Sequence, residues 1–176
     1  MPTLTKVRIW IAIFIICLVG AGLTAFPLEA ELGFATSVLH TTWLPANVLL
    51  PGFVSWIDLV DHAVVATTNN YPFIFYGTDW LAFAHIVIAI AFIGPFRDPV
   101  RNIWIIQWGM IACVLVVPLA AIAGPIRGIP WGWELIDMSF GVIGIIPLII
   151  VYRLIRRLER EQKRAAAPTA ALVESN

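Results

Sequence analysis

All but one of the eleven Lys and Arg residues fall in three clusters, and long apolar runs separate those clusters. Lys6 and Arg8 precede the first run. Arg97 and Arg101 lie between the second and third, and Arg153, Arg156, Arg157, Arg160, Lys163 and Arg164 follow the fourth. Only Arg127 stands apart. A chain whose basic clusters mark every second exit from an apolar run crosses a bilayer with those clusters on the cytoplasmic side. The expected fold is therefore all-α and integral to the membrane: a four-helix transmembrane bundle with both termini cytoplasmic, in the bacterial inner membrane. At 60% hydrophobic residues the chain is far outside the soluble range.

The four expected spans are about Ile9 to Phe26, Thr78 to Phe96, Ile103 to Ala123 and Trp131 to Tyr152. Each has the roughly 20 residues that a hydrocarbon core demands. The first run, with its basic start, also fits a signal peptide, although it is long for one and its cleavage site is poor. Pro118 and Pro147 fall inside the third and fourth spans, where membrane helices tolerate proline as a kink. Residues 1–164 form one membrane domain, and the Ala-rich stretch 165–176 reads as a disordered cytoplasmic tail. The lipid bilayer is the expected partner, with an apolar ligand or other membrane subunits beside it. Nucleic acid is not, because the basic residues hug the membrane exits.

Residues 27–77 are the only sizeable segment between spans, and they are placed on the outer side. Leu28, Leu32, Ala35 and Leu39 make one helical stripe; Phe53, Trp56, Ile57, Val60 and Val64 make a second. With so little charge, the segment reads as helices lying along the outer interface and capping the bundle. Trp43, Trp56, Tyr71, Tyr76, Trp80, Trp131 and Trp133 sit near that level as an aromatic belt. An aromatic ligand cage is the sharper reading of the same residues.

Seven of the eleven acids, Glu29, Glu31, Asp58, Asp61, Asp79, Glu134 and Asp137, fall on the outer side. So do all three histidines, His40, His62 and His85. Their spacing matches no compact metal motif, but His40, His62 and His85 form a zinc site if the outer segment folds over the bundle. The plainer reading pairs His62 with Asp58, one helical turn away. His85 lies about 9 Å below Asp79, and Asp137 about 10 Å past Pro130, at the helical rise. Both spans run the same way, so the two residues share a depth. Ionisable groups there face the interior and pair. Ala82 and Ala89 flank His85; Gly141 and Gly144 share a stripe with Glu134 and Asp137, as small residues do at membrane helix interfaces. The expectation is one polar cluster of Asp79, His85, Arg127, Glu134 and Asp137, rimmed by Trp80, Trp131 and Trp133. Gln107 is expected to donate across to a neighbouring helix, and Asp98 to bridge Arg97 and Arg101.

Two functions compete. One is a non-catalytic accessory or lipid-binding protein, with Asp79, Trp80, Arg127, Trp131 and Trp133 as ligand contacts. G-x-S-x-G, H-E-x-x-H and P-loop patterns are all missing, which favours it. The other is a membrane-embedded enzyme with His85 as acid or base, oriented by Asp137, and with Glu134 as partner. Four helices without an internal repeat are few for a transporter. A haem on His85 lacks a second deep histidine. Cys17 and Cys113 lie inside apolar runs without a C-x-x-C pair. No residue pattern names a cofactor.

Overall fold

The computed structural model of the chain describes residues 2–41 and 46–174, which are helical almost throughout and contain no strand. Eight α-helices follow in order: α1 Thr3–Ala25, α2 Leu28–Leu39, α3 Ala46–Leu49, α4 Pro51–Asn70, α5 Tyr76–Ala91, α6 Ile93–Arg97, α7 Ile103–Ile126 and α8 Trp131–Glu174. A single 3-10 turn, Pro72–Phe75, leads into α5. Four helical stretches are long and apolar enough to cross a membrane: Thr3–Ala25, Pro72–Arg97, Ile103–Ile126 and Trp131–Ala166. Their outward surfaces are oily, with Ile122, Ile143 and Phe140 about two-thirds exposed. Such a surface suits hydrocarbon and not water. The α7 and α8 helices run on through Pro118 and Pro147.

The second span is not one helix. It breaks at Phe92, between α5 and α6. Pro95 explains the break: it has no N–H to give, and its ring displaces the carbonyl of Ala91. The last helix continues to Glu174, through the stretch whose composition marks it as an unstructured tail. Ala165 and Ala166 are the best helix formers available and carry the helix on past Arg164.

The chain divides into two compact units, residues 1–16 with 89–176, and residues 17–88. In the first, Phe92 is fully buried and packs between α1 and α7. Its ring lies 4.8 Å from that of Phe14 on α1. On α7, Gly109 leaves the space the ring needs: a Cβ there would sit 2.9 Å from Phe92 Cζ and 3.2 Å from Leu148 on α8. Val7, Ile11, Pro95, Ile106, Val151 and Ile155 complete a dry core. Arg8 ties α1 to the end of α6, donating from Nε to the Phe96 carbonyl at 3.1 Å and from Nη2 to that of Arg97 at 3.4 Å. Those carbonyls have no donor within α6, so the guanidinium satisfies acceptors that the helix end leaves open. The short turn after α6 is held by side chains. Asn102 donates to the Gly94 and Asp98 carbonyls, and Asp98 accepts from the Arg101 backbone N–H. Asp98 therefore caps this turn and does not bridge the two arginines.

In the second unit α2 packs on α4, as their apolar stripes require. Val54, Ile57 and Val64 supply the buried face of α4. Gly22 of α1 lets α5 approach closely: a Cβ there would lie 2.9 Å from the Ala82 carbonyl and 3.1 Å from His85 Cβ.

Candidate functional site

The site is built where α7 ends and α8 begins. Arg127 caps α7, Gly128 adopts φ +71°, and the chain turns into Pro130. The N–H of Ile129 reaches back to the Gly124 carbonyl at 3.0 Å, and that of Gly128 to the Pro125 carbonyl at 3.2 Å. This 6→1 and 5→2 pair closes the helix with a left-handed residue, which is why glycine stands at position 128. The turn brings the first two turns of α8 back along the last turns of α7.

The stripe Glu134, Asp137, Gly141 and Gly144 then faces α7. Gly141 packs directly on the Cys113 backbone carbonyl, and a Cβ at Gly144 would lie 3.3 Å from Cys113 Sγ. Higher up, the carboxyl of Glu134 lies on Gly124. A Cβ at Gly124 would stand 2.6 Å from Glu134 Oε1 and 2.7 Å from its Cδ and Cγ. Glu134 is only 4% exposed and is the one buried charged residue among those described. Its carboxyl has no hydrogen bond or ion pair among the described residues. Its place in the first turn of α8 sets it at the positive end of that helix dipole.

One turn on, Asp137 opens into a crevice of about 290 Å³. Val116, Leu119, Ala120, Ala123 and Ile129 make apolar walls, and Arg127 stands in the same lining. Arg127 and Asp137 form no ion pair with each other among the described residues. A cation and a carboxylate thus share one small apolar-walled space, each with hydrogen-bonding capacity to spare. Trp131 is exposed at the start of α8, and Trp133 is half-buried beside Glu134. Of the expected cluster, Arg127, Trp131, Trp133, Glu134 and Asp137 belong to this unit.

Asp79, Trp80 and His85 belong to the unit of residues 17–88. Asp79 and Trp80 line a shallow aromatic cleft of about 320 Å³ with Phe26, Tyr76 and Phe83. Trp80 meets Tyr76 and Phe83 edge-on, with centroids 6.0 and 6.1 Å away. His85 is half-buried, and its Nδ1 lies 2.8 Å from the Leu81 carbonyl. A carbonyl only accepts, so Nδ1 carries the proton and Nε2 keeps a lone pair in the neutral ring.

The outer histidines are arranged differently from the sequence expectation. His40, at the end of α2, holds Asp58 of α4, with Nε2 at 2.9 Å from Oδ1. Asp58 is thereby taken by a cross-helix partner, and His62, exposed on α4, does not pair with it. Among the described residues no group of three His, Cys, Asp or Glu side chains comes together to hold a metal, so His40, His62 and His85 do not converge. His40 is held between α2 and α4, and His85 is turned onto its own helix. Trp43 of the expected aromatic belt lies outside the described residues.

Sequence reasoning placed Glu134 and Asp137 on one stripe but missed Gly124 as the seat of the carboxyl. A glycine one turn before a helix-ending turn was the available signal. No family model, curated protein or solved structure matches the chain.

Proposed function

We propose that this is a non-catalytic multi-pass protein of the bacterial inner membrane that binds a small apolar ligand bearing a polar head. The observation that carries the reading is the crevice in which Arg127 and Asp137 stand unpaired with each other among apolar walls. A polar head takes the cation or the carboxylate, and its apolar body takes Val116, Leu119 and Ala120. Ligand sites commonly combine apolar walls with a few polar groups in this way. The three basic clusters support an orientation with both termini in the cytoplasm, which puts the crevice and the α2–α4 pair on the outer side. In an accessory subunit the same crevice receives a partner's side chain in place of a free ligand.

The test is to purify the protein gently and analyse extracted lipids and small molecules by mass spectrometry. A specific amphiphile should co-purify, and Arg127→Gln and Asp137→Asn should each lower its retention about tenfold, as loss of a charged hydrogen bond does. Retention unchanged in both variants overturns the crevice as the site. Reporter fusions test orientation independently: those after Val65 and Gly128 should report outside, and those after Asp98 and Arg164 inside.

A second reading, a membrane-embedded enzyme with His85 as acid or base and Asp137 and Glu134 as its partners, is favoured by one observation at His85. Its Nδ1–H is engaged by the Leu81 carbonyl, which leaves Nε2 oriented as a base.

A further inference from the structure

We infer that a second groove, between α7 and α8 at their basic end, seats one anionic phospholipid of the surrounding bilayer. The groove holds about 480 Å³. On α7 it is lined by Gln107, Met110 and Val114 and their stripe neighbours, and on α8 by Ile145 and Tyr152. It lies at the opposite end of α7 from the Arg127–Asp137 crevice and does not depend on that reading.

The order of chemistry along the groove is what selects the occupant. From Met110 to Val114 and across to Ile145 the lining is apolar. The polar groups of the lining are the Gln107 amide, near the start of α7, and the Tyr152 phenol, beside Arg153 on α8. Among the described residues neither has a hydrogen-bond partner in the protein. Gln107 is exposed and does not reach a neighbouring helix, contrary to the sequence expectation. An unpaired amide facing hydrocarbon is costly, so such a group finds a partner or reaches the headgroup layer. Trp104 and Trp108, 60% and 42% exposed, flank Gln107 and mark that layer.

Beyond Tyr152 the cations begin. Arg156 follows Tyr152 by one turn on the same face, and Arg153 adjoins it. Arg153 has no ion-pair partner among the described residues, whereas Arg156 shares Glu159 with Lys163. Residues 153–164 carry six basic side chains against only Glu159 and Glu161. Apolar groove, then amide and phenol donors, then cations is the sequence of acyl chain, ester oxygens and phosphate in an anionic phospholipid. Basic segments at a membrane exit favour such lipids by about fivefold for each Lys or Arg near the surface. A second copy of the chain fits less well, because it would set two such basic ends side by side.

The experiment is native mass spectrometry of the full chain in detergent, titrated with dioleoyl phosphatidylglycerol or dioleoyl phosphatidylcholine. The wild type should retain one phosphatidylglycerol in preference to phosphatidylcholine, by about fivefold or more. Arg153→Gln with Arg156→Gln should bring the two lipids level. Ile145→Trp, which fills the groove, should abolish one-to-one retention of either. Gln107→Leu with Tyr152→Phe preserves shape and should weaken both, so it carries the test if the tryptophan variant fails to fold. Equal retention of the two lipids by the wild type overturns the proposal. So does a dimer that Ile145→Trp dissociates, since the occupant would then be a second copy.

Discussion

Gly124→Ala isolates the contact on which the α7–α8 site is built. Two effects of opposite sign meet there. Alanine in place of glycine inside a helix gains about 0.5–1 kcal/mol through reduced chain entropy. Against that, the new methyl would stand 2.6 Å from Glu134 Oε1 and 2.7 Å from two of its carbons. Those separations are well inside van der Waals contact, so the buried carboxyl has to move from its seat. Overpacking of this kind costs about 1–3 kcal/mol. The net expectation is a loss of up to about 2.5 kcal/mol. In a Glu134→Ala background the colliding atoms are gone, and the same Gly124→Ala change should gain about 0.5–1 kcal/mol. The sign of the effect reverses, and the coupling across the double-mutant cycle is about 1–3 kcal/mol. Gly20, around which a Cβ meets nothing within 4 Å, supplies the control: Gly20→Ala should stabilise in both backgrounds. The assay is reversible unfolding in mixed micelles followed by far-UV circular dichroism. If Gly124→Ala costs the same with and without Glu134, or stabilises the wild type, the carboxyl is not seated on Gly124 and the reasoning fails.

Two further perturbations test other levels of the structure. Gly128 sits at φ +71°, so Gly128→Val should destabilise by about 1–2 kcal/mol in the same unfolding assay, and Gly128→Asn clearly less. Past the membrane exit, the Lys163 hydrogen bond holds the Glu159 carboxyl below its usual range, with Arg156 adding to the effect. The Arg157 hydrogen bond does the same for Glu161. A lowered folded-state pKa means that the helix support is fully present above the ordinary glutamate range and is lost as pH falls through the lowered values. Amide exchange over residues 153–166 should therefore show slower opening at pH 7 than near pH 3, after correction for intrinsic rates. Equal protection at both would mean that these pairs contribute nothing.

The spans were legible because burial in lipid is scored residue by residue along one dimension. A run of about 20 apolar residues bounded by charge can do little else than cross. The same held for α2 and α4, whose apolar stripes recur at helical period in a segment that prolines delimit. The break at Phe92 was legible too, in Pro95, but was hidden by the continuous apolarity around it. Who touches whom was not written there. In water the apolar face of a helix points inward, but in lipid the outside is as apolar as the inside, so polarity does not set the rotation of a helix about its axis. That is why Gln107 faces outward and not across to a neighbour. Outside the spans, Asp58 lies one turn from His62 but is held by His40 from another helix, a cross-helix contact that spacing within α4 does not encode. The Glu134, Asp137, Gly141 and Gly144 stripe was readable as an interface, but only the fold gave it α7 as partner. There close packing against Gly124 and Cys113, decided atom by atom and not by transfer energy, selects the mate.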